Sequence, residues 1–199
     1  MIVTHKIQVS IIIFVVDVMV CAVGLFPFVP CAEESIPDTY EAWYKKGVAF
    51  GSLNQFEDAL EAFNESIKLK PDFAETWLNK GVVLSRLNLY QEALEAYDRA
   101  IELEPDYLIA WYNKGFTLKK LNRYGNALES FDIAIKNNPD SIEAWCGKAS
   151  VFALKDDKNN MLFSLKRAIE LNEICKELAK KNKSFKSFWD DEDFRKLVE

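Results

Sequence analysis

The chain has 199 residues, 49% of them hydrophobic, which is enough for one ordinary domain with a core of its own. A net charge of −6 argues against nucleic acid, because phosphate binding needs a concentrated positive surface. The single histidine, His5, stands near the N-terminus, and the seven glycines form neither a Gly-x-Gly-x-x-Gly nor a Walker-type loop. Imidazole chemistry, His-ligated metals and phosphate cradles are therefore excluded beyond the first few residues.

Residues 1–32 form the first segment. From Ile7 to Val29 the chain is almost wholly apolar, with Lys6 before the run and Glu33 and Glu34 after it. A helix of about 20 such residues would span a hydrocarbon core of about 30 Å. Asp17 opposes insertion at roughly 2.5–3.5 kcal/mol, while the Ile, Val, Leu and Phe residues between Ile7 and Phe26 return roughly 4–8 kcal/mol. Insertion wins, and the segment is expected to be a signal peptide or a membrane anchor. Val20-Cys21-Ala22 offers a cleavage site, and Pro27 and Pro30 break the helix beyond it. Neither Cys21 nor Cys31 follows the small residues of a lipoprotein signal. The charge placement orients the remainder outside, giving an extracytoplasmic protein, secreted or membrane-anchored.

From residue 38 the chain repeats itself. Trp43, Trp77, Trp111 and Trp145 are 34 apart, and so are Lys46, Lys80, Lys114 and Lys148. Pro37-Asp38, Pro71-Asp72, Pro105-Asp106 and Pro139-Asp140 keep the same step. A fixed period of this length means one structural unit stacked on itself. Each proline closes a helix, and each aspartate is expected to N-cap the next; Asp38/Glu41, Asp72/Glu75 and Asp140/Glu143 also have capping-box spacing. In the first unit Trp43, Gly47 and Phe50 share one helical face, and Phe56, Ala59, Phe63 and Ile67 share the face of a second helix. Asn54, Asn88 and Asn122 mark short breaks with no room for a strand.

These residues resemble the tetratricopeptide repeat family over 38–172. The small positions are Gly47, Gly81, Gly115 and Ala149 in the first helices. In the second helices they are Ala59, Ala93 and Ala127, then Ser66, Ala100, Ala134 and Ala168. The resemblance implies an all-α fold, a right-handed α-solenoid of about four helix-turn-helix repeats (38–71, 72–105, 106–139 and 140–172) with a helical C-terminal cap over 173–199. It also implies a protein or peptide ligand held in a concave groove lined by the first helices. Carried onto this sequence, the groove residues are Tyr44, Val48 and Ser52; Leu78, Val82 and Arg86; Tyr112, Phe116 and Lys120; and Cys146, Ser150 and Leu154. Asn79 and Asn113 stand where some members hold a peptide backbone, and Arg86, Lys119 and Lys120 add positive charge. The lysine and asparagine with which chaperone-binding members clamp a carboxylate are replaced by Tyr44 and Val48, so that clamp is not supported. Packing between adjacent helices is the competing role for Val48, Val82 and Phe116. The lysine ladder reads as structural, its stems covering apolar surface.

The fourth unit departs from the pattern: Tyr124, Ala127 and Phe131 of the third correspond to Lys158, Met161 and Leu165, and Glu173 replaces the closing proline. A terminal repeat is expected to deviate, since one face meets no further repeat. Beyond it, Phe185, Phe188, Trp189, Phe194 and Leu197 are the expected anchors of a cap, with a partner-binding tail as the alternative. Asp156-Asp157 and Asp190-Asp191 suit helix capping better than catalysis. Cys146 and Cys175 lack an accompanying histidine, which leaves buried thiols or, in an exported protein, a disulfide. No catalytic residue, metal or cofactor is assigned. The function that remains is a non-enzymatic interaction scaffold; the alternatives are an assembly factor self-associating through its solenoid ends, or a regulatory subunit of an envelope enzyme.

Overall fold

The computed structural model describes residues 39–199. The apolar segment, with its expected role as signal peptide or anchor, lies outside the described residues. Among the described residues no helix is long and apolar enough to cross a membrane. The four repeats are four helix pairs: α1 (Tyr40–Ser52) with α2 (Phe56–Leu69), α3 (Ala74–Arg86) with α4 (Tyr90–Leu103), α5 (Leu108–Lys120) with α6 (Tyr124–Asn137), and α7 (Ile142–Leu154) with α8 (Lys158–Leu171). Each second helix also packs on the first helix of the next pair. Neighbouring first helices touch directly, α1 on α3, α3 on α5 and α5 on α7, so they stand side by side as one layer.

The sequence period becomes a packing period. Phe63, Tyr97, Phe131 and Leu165, at successive 34-residue steps, are all 1% exposed or less. Each ring of the first three lies against the glycine of its own first helix. A Cβ on Gly47, Gly81 or Gly115 would come within 2.6, 2.6 or 2.7 Å of the ring of Phe63, Tyr97 or Phe131. A ridge thus enters a groove that only a residue without a side chain leaves open. Within each pair the turn bends through a left-handed residue. Asn54, Asn88 and Asn122 have φ of 59°, 63° and 57°, and Asp156 takes this place in the fourth repeat at 59°. Asn and Asp tolerate that region because their short polar side chains bond locally, which is why asparagine recurs at the break.

The aspartates expected as N-caps sit one residue too early. Asp72 lies in the turn ahead of α3, whose N-cap is Phe73, and α5 begins after Tyr107; neither cap makes a side-chain bond. Capping side chains are Thr39, accepting from Ala42 N at 3.2 Å, and Ser141, accepting from Ala144 N at 3.4 Å. The repeat junction is held instead by the tryptophans. The indole N–H groups of Trp77, Trp111 and Trp145 donate to the carbonyls of Pro71, Pro105 and Pro139 at 2.9, 2.8 and 2.9 Å. Proline and tryptophan recur six residues apart for this reason.

The lysine ladder is structural. Lys46, Lys80, Lys114 and Lys148 each lie 5.1–5.7 Å from the ring centre of the tryptophan three residues before, within cation–π reach. Lys114 also pairs with Asp98, and Lys148 with Asp132, tying a first helix to the second helix of the preceding repeat.

The C-terminal cap consists of α9 (Ile174–Lys181), a 3-10 turn (Lys183–Phe188) and α10 (Glu192–Val198). Phe185, Phe188, Phe194 and Val198 are buried with Met161, Leu165 and Ile169 of α8. Leu197 packs at the edge of this cluster. Trp189, expected among the anchors, is 36% exposed instead, and Val198 fills the core in its place. Asp157 and Asp191 are N-caps: Asp157 accepts from Asn160 N, and Asp191 from Asp193 N and Phe194 N. Lys158 donates to Asp191 at 2.7 Å and so links α8 to α10.

Candidate functional site

The layer of first helices carries the residues expected to face a ligand, and they divide into three sets. Tyr112, Phe116, Val48, Arg86 and Lys120 keep exposed or half-buried surface on it. Tyr112 and Phe116, one turn apart on α5, meet edge to face with ring centres 6.0 Å apart and planes at 89°. They form a corner with two walls. Phe116 also leans on buried Phe131, its centre 5.3 Å away, so half of this corner belongs to the core of the third repeat. Val48 is 42% exposed, and Val82 is half-buried against Tyr97 and its neighbours. Arg86 and Lys120 are exposed at the ends of α3 and α5.

A second set is committed to contacts within the array itself. Tyr44 rests edge-on against Phe73 at 5.3 Å, and its hydroxyl accepts from Asn79 Nδ2 at 3.3 Å. Burial raises the Tyr44 hydroxyl above its ordinary value, so it remains a neutral phenol. Asn79 and Asn113 turn their amide groups back onto the carbonyls of Glu75 and Ile109, four residues earlier, at 2.8 and 2.9 Å. Lys119 is a bridge: its ammonium lies 4.9 Å from the centre of the Phe116 ring and donates to Ser150 Oγ at 2.9 Å. Burial, helped by the neighbouring charge of Lys120, pushes the Lys119 amine down to about 8.

The third set is withdrawn. Leu78 is only 6% exposed and packs with Ala93 and Tyr97, which corrects its placement in the groove. Its position in the repeat matches that of Tyr44 and Tyr112, but its branched side chain turns into the core where a tyrosine would carry a hydroxyl outward. Ser150 is buried, and Cys146 is half-buried against Cys175. Ser52 and Leu154 stay exposed at the far ends of α1 and α7.

Two residues near this layer escaped the sequence reading. Gly147, in the column that holds Asn79 and Asn113, lets α7 close onto Phe131; a Cβ there would stand 2.5 Å from the ring. Phe163 is 59% exposed and meets Trp145 edge-on at 6.1 Å. A recess of about 300 Å³ lined by Trp111, Lys114, Asp98 and Arg123 opens on the side of α5 away from Tyr112 and Phe116. Among the described residues, no three or more His, Cys, Asp or Glu side chains converge as metal ligands.

Three family models, each described as a tetratricopeptide repeat, match the chain. One matches residues 32–72, 44–107 and 78–118, a second 109–141 and a third 142–175. No curated protein sequence matches. Among solved structures, MamA from Desulfovibrio magneticus superposes with a TM-score of 0.66 at 19% identity, over 82% of this chain and 96% of its own. YrrB, described as a tetratricopeptide repeat protein with an unusual peptide-binding site, gives 0.61 at 18% identity, over 78% and 80%. The repeat domain of OM64 from Arabidopsis gives 0.56 at 23% identity, over 57% and 93%. At these identities the likeness is one of fold.

Proposed function

Since the chain belongs to the tetratricopeptide repeat family, whose models together span residues 32–175, we propose that it is a non-enzymatic scaffold for another protein. The ligand is a peptide segment with apolar residues flanked by acids, extended or helical, lying across the first helices. The observation that carries this reading is the Tyr112–Phe116 corner on α5, with Arg86 and Lys120 exposed at the ends of α3 and α5 in the same layer of first helices. Rigid aromatic surface anchors ligands at small entropic cost, and flanking cations favour an acidic partner in an otherwise acidic chain. YrrB, a structural relative with a described peptide-binding site, supports the class of ligand. Residues 1–32 are proposed to export the scaffold or tether it to a membrane, on the strength of their apolar run; fractionation with and without them checks this, and an unchanged soluble distribution would count against it.

Fluorescence anisotropy with a labelled acid-flanked apolar peptide tests the groove. Tyr112→Ala, which spares the Phe131 core, should weaken binding by about 2 kcal/mol if the corner is a hot spot. Lys120→Glu should chiefly slow association and flatten its salt dependence. As pH rises through about 8, Lys119 gives up its proton in the folded chain and the acidic probe should bind less tightly. Glu95→Lys on α4 is the control, being exposed away from the first helices. Equal losses from the control, or none from Tyr112→Ala with the fold intact, would move the site off this layer.

A further inference from the structure

We propose that Cys146 and Cys175 are a modification site, a dithiol that is oxidised to a disulfide and staples the C-terminal cap to the fourth repeat. Cys146 lies on α7 and Cys175 on α9, 29 residues apart in sequence, yet their sulfurs are 3.5 Å apart as two free thiols. A disulfide needs about 2.0 Å, so the sulfurs must approach by roughly 1.5 Å. Side-chain rotation with a small shift of α9 supplies that, and α9 is only eight residues long. Neither thiol has another role: Cys175 is 1% exposed within the cap core, and Cys146 is withdrawn from the ligand-facing corner.

The chemistry is ordinary exchange with a low-molecular-weight disulfide as oxidant. The Cys146 sulfur, the more accessible, attacks one sulfur of the oxidant and releases the first small thiol. Cys175 then attacks Sγ of Cys146 and displaces the second. Two electrons pass to the oxidant, and the two protons leave on the released thiols. Burial pushes the Cys146 thiol up to about 12, so little thiolate exists in the folded chain near neutral pH. The bond therefore forms fastest during folding, before the cap closes over Cys175. Once formed, it closes a loop that contains all of α8 and restricts that segment in the unfolded chain.

The experiment uses the full chain with Cys21→Ser and Cys31→Ser, which leaves these two of its four cysteines. The protein is refolded in a mixture of oxidised and reduced glutathione. A non-reducing digest should yield one cross-linked peptide pair, joined through Cys146 and Cys175, lighter by two hydrogens. The melting temperature should rise by roughly 5–10 °C on oxidation and fall back with dithiothreitol. Adding Cys175→Ser should abolish the rise and leave glutathione on Cys146. Separate glutathione adducts on the two cysteines in the unsubstituted pair, or a cross-link that leaves the melting temperature unchanged or lower, would overturn the proposal.

Discussion

Deleting residues 184–199 should lower the melting temperature by about 10 °C and cause aggregation through the uncovered fourth repeat. The deletion removes Phe185, Phe188, Phe194 and Val198, each no more than 6% exposed and packed on Met161, Leu165 and Cys175. Burying one such side chain stabilises by roughly 1.5–3 kcal/mol. Even discounted for the order the cap no longer has to adopt, the loss is several kcal/mol against a typical total of about 5–15 kcal/mol. The Lys158 pairs with Asp191 and Asp193 are lost too, but they are largely solvated and add little. In a solenoid each unit is stabilised by its neighbours, so the fourth repeat should fray first and expose an apolar face. Circular dichroism melts with light scattering would show both effects. Trp189→Ala makes the contrast, because Trp189 is 36% exposed and should change the melt little. An unchanged melt on deletion would instead make the tail a free segment available to partners.

The repeat architecture was legible because each of its physical requirements falls on a fixed residue type. The helix crossing needs glycine at 47, 81 and 115, the left-handed turn needs Asn54, Asn88 and Asn122, and the indole needs a proline carbonyl six residues back. Caps were displaced by one residue because the Pro-Asp pair forms a turn of its own before the helix begins. The groove was less legible. A column of the repeat fixes which way a position points, but not how deep its side chain lies, so Leu78 sank where Tyr44 and Tyr112 did not. Lys119 carries the charge expected of it, but its reach brings the ammonium over Phe116 to Ser150 in the next repeat, a partner 31 residues away. No local pattern encodes that contact. Gly147 was missed for a related reason: its column holds asparagine in two repeats, and the 34-residue step pointed to Ala149 as the crossing residue.

Gly147→Val should cost about 3 kcal/mol of stability through overpacking, although leaving glycine slightly favours the helix itself. Phe131 is fully buried and clasped from two sides, by Gly115 on α5 and by Gly147 on α7. A Cβ on Gly147 would stand 2.5 Å from two atoms of the ring, a separation that real contacts do not allow. The ring has little room to retreat, because Phe116 stands edge-on to it at 5.3 Å and it already lies close against Gly115 of α5. Relief must come from moving α7 away from α6, which loosens the third repeat against the fourth and shifts the Tyr112–Phe116 corner. Both the melting temperature and the affinity for an acid-flanked peptide should therefore fall. Shortening the ring with Phe131→Leu in the same chain should recover part of the loss, so that the double variant is more stable than the two single effects would sum to. Gly51→Ala is the opposite case: its Cβ would meet only Val83, at an ordinary 3.8 Å, and the gain in helix preference should stabilise by up to about 1 kcal/mol. If Gly147→Val melted like the parent protein, or if Phe131→Leu gave no rescue, the close approach of α7 to Phe131 would not be what joins these repeats.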